Sequence, residues 1–527
     1  MENKLEGPLF PSRPFKGEKC KMRNIRAKQK KIVGPAVPSG PIREQLIFEL
    51  SDEGKPSFPL PELDVPLNKK ISEQLPIRKK IKGFPQVSEV EIVRHFTRLS
   101  KTNYCIDEGF YPLGSCTMKY NPKINEKLAN LAGFISPHPF SPPELIQGNL
   151  EVLKKIEDLL KEITGMEAFT LQPSAGAQGE LVGMMVIRAC LEERGNPRKI
   201  VLIPDSAHGT NPSSAHICGY QVREVKSNAQ GTIDLQALSE AMDEEVAALM
   251  LTNPNTLGIF EADIKKIADI IHSQGAFIYM DGANLNAMIG ISRPGDMGVD
   301  AIHLNFHKTF STPHGGGGPG SGPVGVTKEL EPYLPLPVVN KKDGQYFLDF
   351  NRPRSIGRVR SFFGNFLVIV KALAYILSLG AKGLKEVAEV AVLNSNYIRS
   401  SLEKEYHLKY KTPTLHECVF SDKYQREYGV NNLDIAKRLI DYGLHPPTMS
   451  FPLVVHGALM VEPTETESKR DLDMFIEAMK KIAEEAKTNP QLLKSAPHSS
   501  YVRRLDEVTA ARRPILKWEE EGRKNKQ

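Results

Sequence analysis

Residues 276–310 read AFIYMDGANLNAMIGISRPGDMGVDAIHLNFHKTF, and the fold turns on how this stretch is parsed. Two short apolar runs, Ala276–Asp281 and Ala301–Phe306, have the length and the β-branched and aromatic content of strands. Asp281 closes the first run, and His307 and Lys308 follow the second. Moving N-terminally, Ala247–Thr252, Gln221–Val225, Lys199–Pro204 and Ala168–Leu171 read as further strands, and Pro323–Thr327 as one more beyond the lysine. Helical patterns at Asp263–Ser273, Leu235–Met242 and Ala177–Arg194 interleave with them, and Asp234 opens one as an N-cap. Strands alternating with helices predict an α/β fold, a mostly parallel sheet with helices on both faces.

The rest of the chain is organised around that block. From about residue 365 it turns helical and then mixed, with Val454–Val461 read as a strand and Leu472–Lys487 as an amphipathic helix. This predicts a smaller C-terminal α+β domain. Residues 46–140 are rich in proline (Pro56, Pro59, Pro61, Pro66) and read as an extended segment. The expected parts are a basic arm at 1–45, an extended segment with a substrate-site loop at 46–140, a large domain at 141–365 and a small one at 366–527. No internal repeat stands out.

Composition bounds the function. The chain has 527 residues, 40% hydrophobic and 25% charged, which excludes a mostly disordered or disulfide-stapled protein. Its net charge of +6 is a weak argument for nucleic acid, because residues 1–43 alone carry eleven Lys/Arg against three Glu. That arm reads as a solvated tail. It lacks an apolar signal core, and Glu2, Glu6 and Glu18 argue against a mitochondrial leader. The most apolar run, Phe366–Ala381, is interrupted by Lys371 and reads as a buried helix, so no membrane is expected. Six cysteines form no CxxC pair and no zinc-ligand spacing, which suits a reducing cytosol or matrix, of which the cytoplasm is the expectation, and predicts no metal.

In a parallel α/β sheet, ligands sit at the carboxyl ends of the strands. After the strand at 168–171 come Ser174, Ala175, Gly176 and Ala177, directly at a helix N-terminus. Free N–H groups and the helix dipole make such a turn a phosphate seat. A plain capped turn fits those residues equally well. Asp281, with Ala283 just beyond it, ends its strand as a carboxylate able to hold a cationic ring nitrogen, although Asx turns are common there. Lys308 ends an apolar strand beside His307, 27 residues after Asp281. Burial there would favour the neutral amine, a nucleophile for a carbonyl.

An anion seat, an acid for a pyridinium and a Schiff-base amine together match pyridoxal 5'-phosphate (PLP). His208, after the strand at 199–204, is placed to stack on the ring, and Asn253 to donate to its phenolic oxygen. The glycine run from His314 to Pro323 permits close backbone approach to a ligand. These features alone leave open other PLP enzymes, such as an amino-acid decarboxylase or a cysteine desulfurase, although Cys418 is a poor candidate for the thiol the latter needs.

Longer stretches go further. Tyr111-Pro-Leu-Gly-Ser-Cys-Thr-Met-Lys119-Tyr-Asn-Pro122, Ser206-Ala-His-Gly-Thr-Asn-Pro212, Asp281–Asn286, Asn305–Phe310, Ser361-Phe-Phe-Gly-Asn365 and Pro497-His498 resemble the P-protein family of the glycine cleavage system, in its split two-subunit form. The resemblance runs from about Gln45 to Trp518. It implies a fold type I PLP enzyme with Lys308, His208 and Asp281 as catalytic residues and glycine as substrate. It implies oxidative decarboxylation, with the aminomethyl group passed to the lipoyl arm of an H-protein, and a subunit 1 partner in an α2β2 heterotetramer. Tyr111, Ser115, Cys116 and Thr117 become the substrate loop through the same resemblance. Arg354, Arg358 and His498 are each candidates for the glycine carboxylate.

Overall fold

The computed structural model describes residues 44–517, apart from 53, 56–60, 63, 67–73, 77, 79, 80, 82 and 316–319. The basic arm at 1–43 lies outside the described residues. Twelve strands are described: β1 (Ala168–Thr170), β2 (Ile200–Pro204), β3 (Gln221–Val225), β4 (Val246–Thr252), β5 (Phe277–Gly282), β6 (Ala301–Leu304), β7 (Val324–Val326), β8 (Val338–Lys342), β9 (Gln345–Asp349), β10 (Cys418–Ser421), β11 (Thr448–Met449) and β12 (Ala458–Val461).

Seven strands form one sheet in the order β1-β7-β6-β5-β4-β2-β3. The pairs from β6 through β3 are parallel, and β7 runs antiparallel to both its neighbours. Every residue of β4 and β5 is buried, as expected where helices cover both faces. Side chains alternate between two cores. Phe277 and Tyr279 of β5 pack with the helix Gly176–Glu193, while Ile278 and Met280 join Leu150, Leu153 and Ile156 of the helix Gln147–Thr164.

The chain from 366 to 402 is one long helix by length and composition, apolar enough to cross a membrane. Gly380, at φ 61° and ψ −176°, breaks it, and Val368, Ile369, Leu373 and Ile376 are packed into the core of the large sheet. Lys371 pairs with Glu126 at 2.8 Å. These contacts make the first limb a core helix, as its interrupted sequence suggests.

The strand expected at Val454–Val461 begins only at Ala458. Residues 454–457 form a turn, because Gly457 takes φ 64° against the Asp422 carboxylate, where a Cβ would collide. β12 pairs with β10 and β11 in a second, antiparallel sheet of order β10-β12-β11. The helices Asn432–Asp441 and Lys469–Thr488 bury Leu439, Phe475 and Met479 with Phe420 and Val461 of that sheet. The hairpin β8–β9 escaped the sequence reading. Its signal is Asp343-Gly344, both at positive φ (51° and 81°), the pair a type I′ turn requires.

Candidate active site

Sheet order brings the key residues together. β5 and β6 are adjacent and parallel, with Asp281 opposite His303, and β4 places Thr252 opposite Asp281 on the other side. Lys308 follows β6 by one turn. A cavity of about 180 Å³ opens at these carboxyl ends. Of the residues named from sequence, Ser115, Gly176, Ala177, His208, Asp281, Ala283, His307 and Lys308 line it. Ser174, Ala175, Asn253, Tyr111, Cys116 and Thr117 do not.

Asp281 is 4% exposed. Its Oδ1 accepts the Ala283 N–H at 2.9 Å, its Oδ2 accepts from Asn211 Nδ2 at 3.3 Å, and His303 Nε2 lies 3.4 Å from Oδ1. Burial pushes this carboxyl up, but the electrostatic effect of the neighbouring His303 and Lys308 and the two hydrogen bonds outweigh it and hold the group below its usual range. His303 is anchored in turn by Tyr279, whose hydroxyl is 2.6 Å from Nδ1. The cavity thus presents an anionic carboxylate at the end of β5.

Lys308 Nζ donates to the Ser115 carbonyl at 2.7 Å. Two imidazoles lie close by, and both stay neutral. Burial, reinforced by His314 and Lys308, pushes His307 down to about 3, and burial with Lys308 pushes His314 down to about 4.

The turn expected to seat a phosphate lies at a helix start. The N-cap of the helix Gly176–Glu193 is Ala175, which has no side chain able to cap the first N–H groups, and Gly176 and Ala177 line the cavity. Gly176 has no room for a Cβ beside Asn305, and Gly322 none beside the Ala175 carbonyl. Gly322 N–H also donates to Pro173 O at 3.0 Å, which ties Gly322 to that turn. Ser174 is turned away: its N–H and hydroxyl both donate to Gln178 Oε1, at 2.7 and 2.9 Å.

His208 sits at the exposed rim, edge-on to Phe451. Its Nδ1 is 2.8 Å from Thr210 Oγ1, which donates to Glu180 Oε1 at 2.7 Å. Asn253 is buried behind the cavity, its Oδ1 accepting from Glu261 N–H at 3.1 Å. Its neighbour Thr252 lines the cavity instead. Tyr111 stacks on His445, with ring centroids 3.7 Å apart. Burial pushes the Cys116 thiol up, which disfavours a thiolate. Cys418 is fully buried on β10 and pushed up to about 12, a poor persulfide carrier. Arg354 is paired with Glu193 at 3.1 Å, and His498 contacts the Leu492 carbonyl at 2.9 Å; neither lines the cavity.

Sequence reasoning missed Glu180, Thr210, Thr252, Thr256, Asn284, His303 and Asn305 on the cavity wall. His303 was findable, because it is a polar residue inside an apolar strand two positions from Asn305. The others are ordinary polar residues whose role depends on sheet order.

The donor set fits PLP. Gly176 and Ala177 offer amides for an anion, Asp281 an ionised acid and Lys308 an amine. Among the described residues, Thr252 Oγ1, Asn211 Oδ1 and Asn253 Nδ2 are buried around the cavity without a hydrogen-bond partner. A mostly parallel seven-stranded sheet with this lysine and carboxylate at adjacent strand ends defines a PLP-dependent enzyme of fold type I. Solved structures share the fold. One is a glycine decarboxylase (P-protein) of the glycine cleavage system in inhibitor-bound form, at TM-score 0.67 and 20% identity, covering 79% of this chain and 95% of that one. Another is a cysteine desulfurase from Escherichia coli, at TM-score 0.55 and 15% identity, covering 74% and 98%.

The family model for the glycine cleavage system P-protein matches residues 58–346, and that for the glycine dehydrogenase C-terminal domain matches 387–498. A probable glycine dehydrogenase (decarboxylating) subunit 2 from Caldanaerobacter subterraneus is 58% identical over 90% of this chain and 98% of its own. One from Pyrococcus horikoshii is 54% identical, over 90% and 96%. The chain belongs to the glycine cleavage system P-protein family. The decarboxylation of glycine with PLP, expected from the resemblance, stands with that membership. The subunit 2 naming of these relatives implies a subunit 1 partner.

Proposed function

We propose that this chain is the catalytic subunit of a two-subunit glycine decarboxylase that hands the aminomethyl group to the lipoyl arm of an H-protein. The observation that carries this reading is the Lys308 amine and the Asp281 carboxylate at adjacent strand ends of one cavity. In the overall step, the bond between the glycine α-carbon and its carboxylate breaks and CO2 leaves. The α-carbon then bonds one sulfur of the lipoyl disulfide, the S–S bond breaks, and the other sulfur leaves as a thiolate and takes a proton.

PLP bound here supplies an electron sink for the pair left by CO2. Gly176 and Ala177 hold its phosphate with backbone N–H groups. The Asp281 carboxylate accepts a proton-bearing ring nitrogen and keeps the proton there. Lys308 Nζ would supply the amine that holds the cofactor's carbonyl carbon and would move protons at that position. His208, oriented through Thr210 and Glu180, bounds the ring from the rim. Ser115 lies beside Lys308 as part of the glycine subsite. An α2β2 assembly with subunit 1 in the cytoplasm completes the proposal.

Borohydride reduction of the co-purified complex, followed by peptide mapping, tests it. A pyridoxyl group on Lys308, with glycine-dependent CO2 exchange that needs lipoylated H-protein, is the expected result. An adduct on another lysine, or exchange indifferent to H-protein, overturns it.

A further inference from the structure

β10 and β12 pair antiparallel, with Cys418 opposite Val461. The next residue outward on each is a glutamate, so Glu417 and Glu462 face each other at the strand ends, both with 0% exposure. Neither lines the cavity. Both reach the backbone of the loop that does.

Glu417 Oε2 accepts the Ser115 N–H at 2.8 Å. Glu462 Oε2 accepts the Thr117 N–H at 3.0 Å, and its Oε1 accepts the Thr117 hydroxyl at 2.5 Å. The loop they grip is unusual. Ser115 and Thr117 take φ 59° and 44°, the left-handed region that non-glycine residues seldom enter. Such a conformation persists only where the surroundings hold it, and here the N–H groups of both strained residues are held by carboxylates on one strand pair. The product of that hold is the Ser115 carbonyl, 2.7 Å from Lys308 Nζ.

Two bare carboxylates in a dry site repel each other. Burial first, and then Glu462, push Glu417 well above the usual carboxylate range, so the pair keeps a proton. The hydrogen bonds from Ser115 and the charge of Lys308 oppose that push on Glu417 without cancelling it. His416 is also fully buried, its Nε2 3.9 Å from Glu462.

We propose that Glu417 and Glu462 form a positioning pair that holds Ser115–Thr117 in its left-handed turns and thereby places the loop carbonyl against the Lys308 amine. This rests on Lys308 being the PLP-bearing residue. It assigns a role to two residues of the C-terminal sheet that never touch the reacting atoms.

The test uses the PLP-loaded complex with subunit 1, comparing wild type with E417A, E417Q, E462A and E462L. Amide hydrogen exchange over the peptide 111–118 is read alongside glycine kinetics, well below each variant's melting point. Both alanine variants should exchange the Ser115 and Thr117 amides about tenfold faster, and kcat should fall about tenfold or more while KM stays within about threefold, because a small misplacement beside the amine acts on turnover. E417Q keeps a carbonyl acceptor for the Ser115 N–H and should rescue both readings to within about threefold. Unchanged exchange in the folded variants overturns the proposal, as does E417Q falling as far as E417A. If an alanine variant does not fold, Glu462→Leu decides: it fills similar space but offers no acceptor, so an exchange rate equal to wild type at Thr117 also overturns the proposal. A wild-type complex lacking the pyridoxyl adduct on Lys308 would instead defeat the underlying reading, whatever the variants do.

Discussion

Lys308 Nζ and the Ser115 carbonyl, 193 residues apart in the chain, are joined by a hydrogen bond of 2.7 Å. One comes from the turn after β6, the other from a loop that leans on the C-terminal sheet. Leu113 bridges Val461 of β12, and Thr448 donates to the Gly114 carbonyl at 2.9 Å. The large sheet thus supplies the chemistry and the small sheet supplies one wall.

Asp281 is expected to matter through its charge. Asp281→Asn preserves the shape and the Ala283 contact but cannot hold a proton on a ring nitrogen. Glycine-dependent CO2 exchange should fall about 100-fold or more, the scale of losing a proton-holding group. PLP content, read by absorbance, should change far less. An Asn variant within about fivefold of wild type would contradict the role.

Gly322 tests the seat. A Cβ at this position meets the Ala175 carbonyl, which is backbone and cannot swing aside. Gly322→Ala should displace the turn at 174–177 and weaken PLP binding about tenfold or more, at the lower end of the cost of overpacking. Equilibrium dialysis of PLP measures it. Gly195→Ala, where a Cβ has open space, is the comparison, though its φ of 72° adds local strain.

Lys119 ties three parts of the molecule together. Its ammonium donates to Asn286 Oδ1 at 2.9 Å, to the Tyr375 hydroxyl at 3.1 Å and to Glu465 Oε1 at 2.8 Å, and the residue is 3% exposed. Lys119→Met removes the cation and leaves Glu465 uncompensated. Urea unfolding should show a loss of about 3 kcal/mol. The double variant K119M/E465L should recover part of it, since a matched apolar pair restores the balance of a buried site.

Glu261 sets a pH dependence. It is 3% exposed, it accepts the Ile233 N–H and the Asn255 amide, both at 3.0 Å, and burial pushes it up from 4.5 to about 7. The folded state holds a proton that the unfolded state has released across that interval. Its contribution is therefore full below pH 4.5 and is lost as pH rises through about 7. Glu261→Gln does not titrate. Its Tm measured against wild type should improve between pH 5 and pH 8, by an amount that corresponds to about 3 kcal/mol at most. A Tm difference that is flat with pH would rule this out.

Much of the site could be read along the chain. Asp281 lies at the end of an apolar strand, and Lys308, Gly176 and Ala177 lie in the turns that follow one; position at a strand's end is a local property. His208 was placed by the same rule and lies at the cavity rim. The rule failed by one residue at Asn253, where Thr252 faces the cavity. Side chains alternate along a strand, and only the true strand end tells which of two neighbours points inward. Ser174 was misjudged for a different reason: Gln178, four residues on, captures its hydroxyl.

Periodicity, apolar runs and turn residues are short-range signals, and from them came the α/β class, the strands β1 to β7 and the residues at their ends. Sheet order is not short-range. It placed β7 antiparallel between β1 and β6, brought Asp281 beside His303, and set Glu417 against Glu462. Contacts such as Lys308 with Ser115 or Lys119 with Glu465 join residues 193 and 346 positions apart. Such pairs depend on which faces the folded core leaves adjacent, a choice made by burial over the whole chain rather than by any neighbour in the sequence.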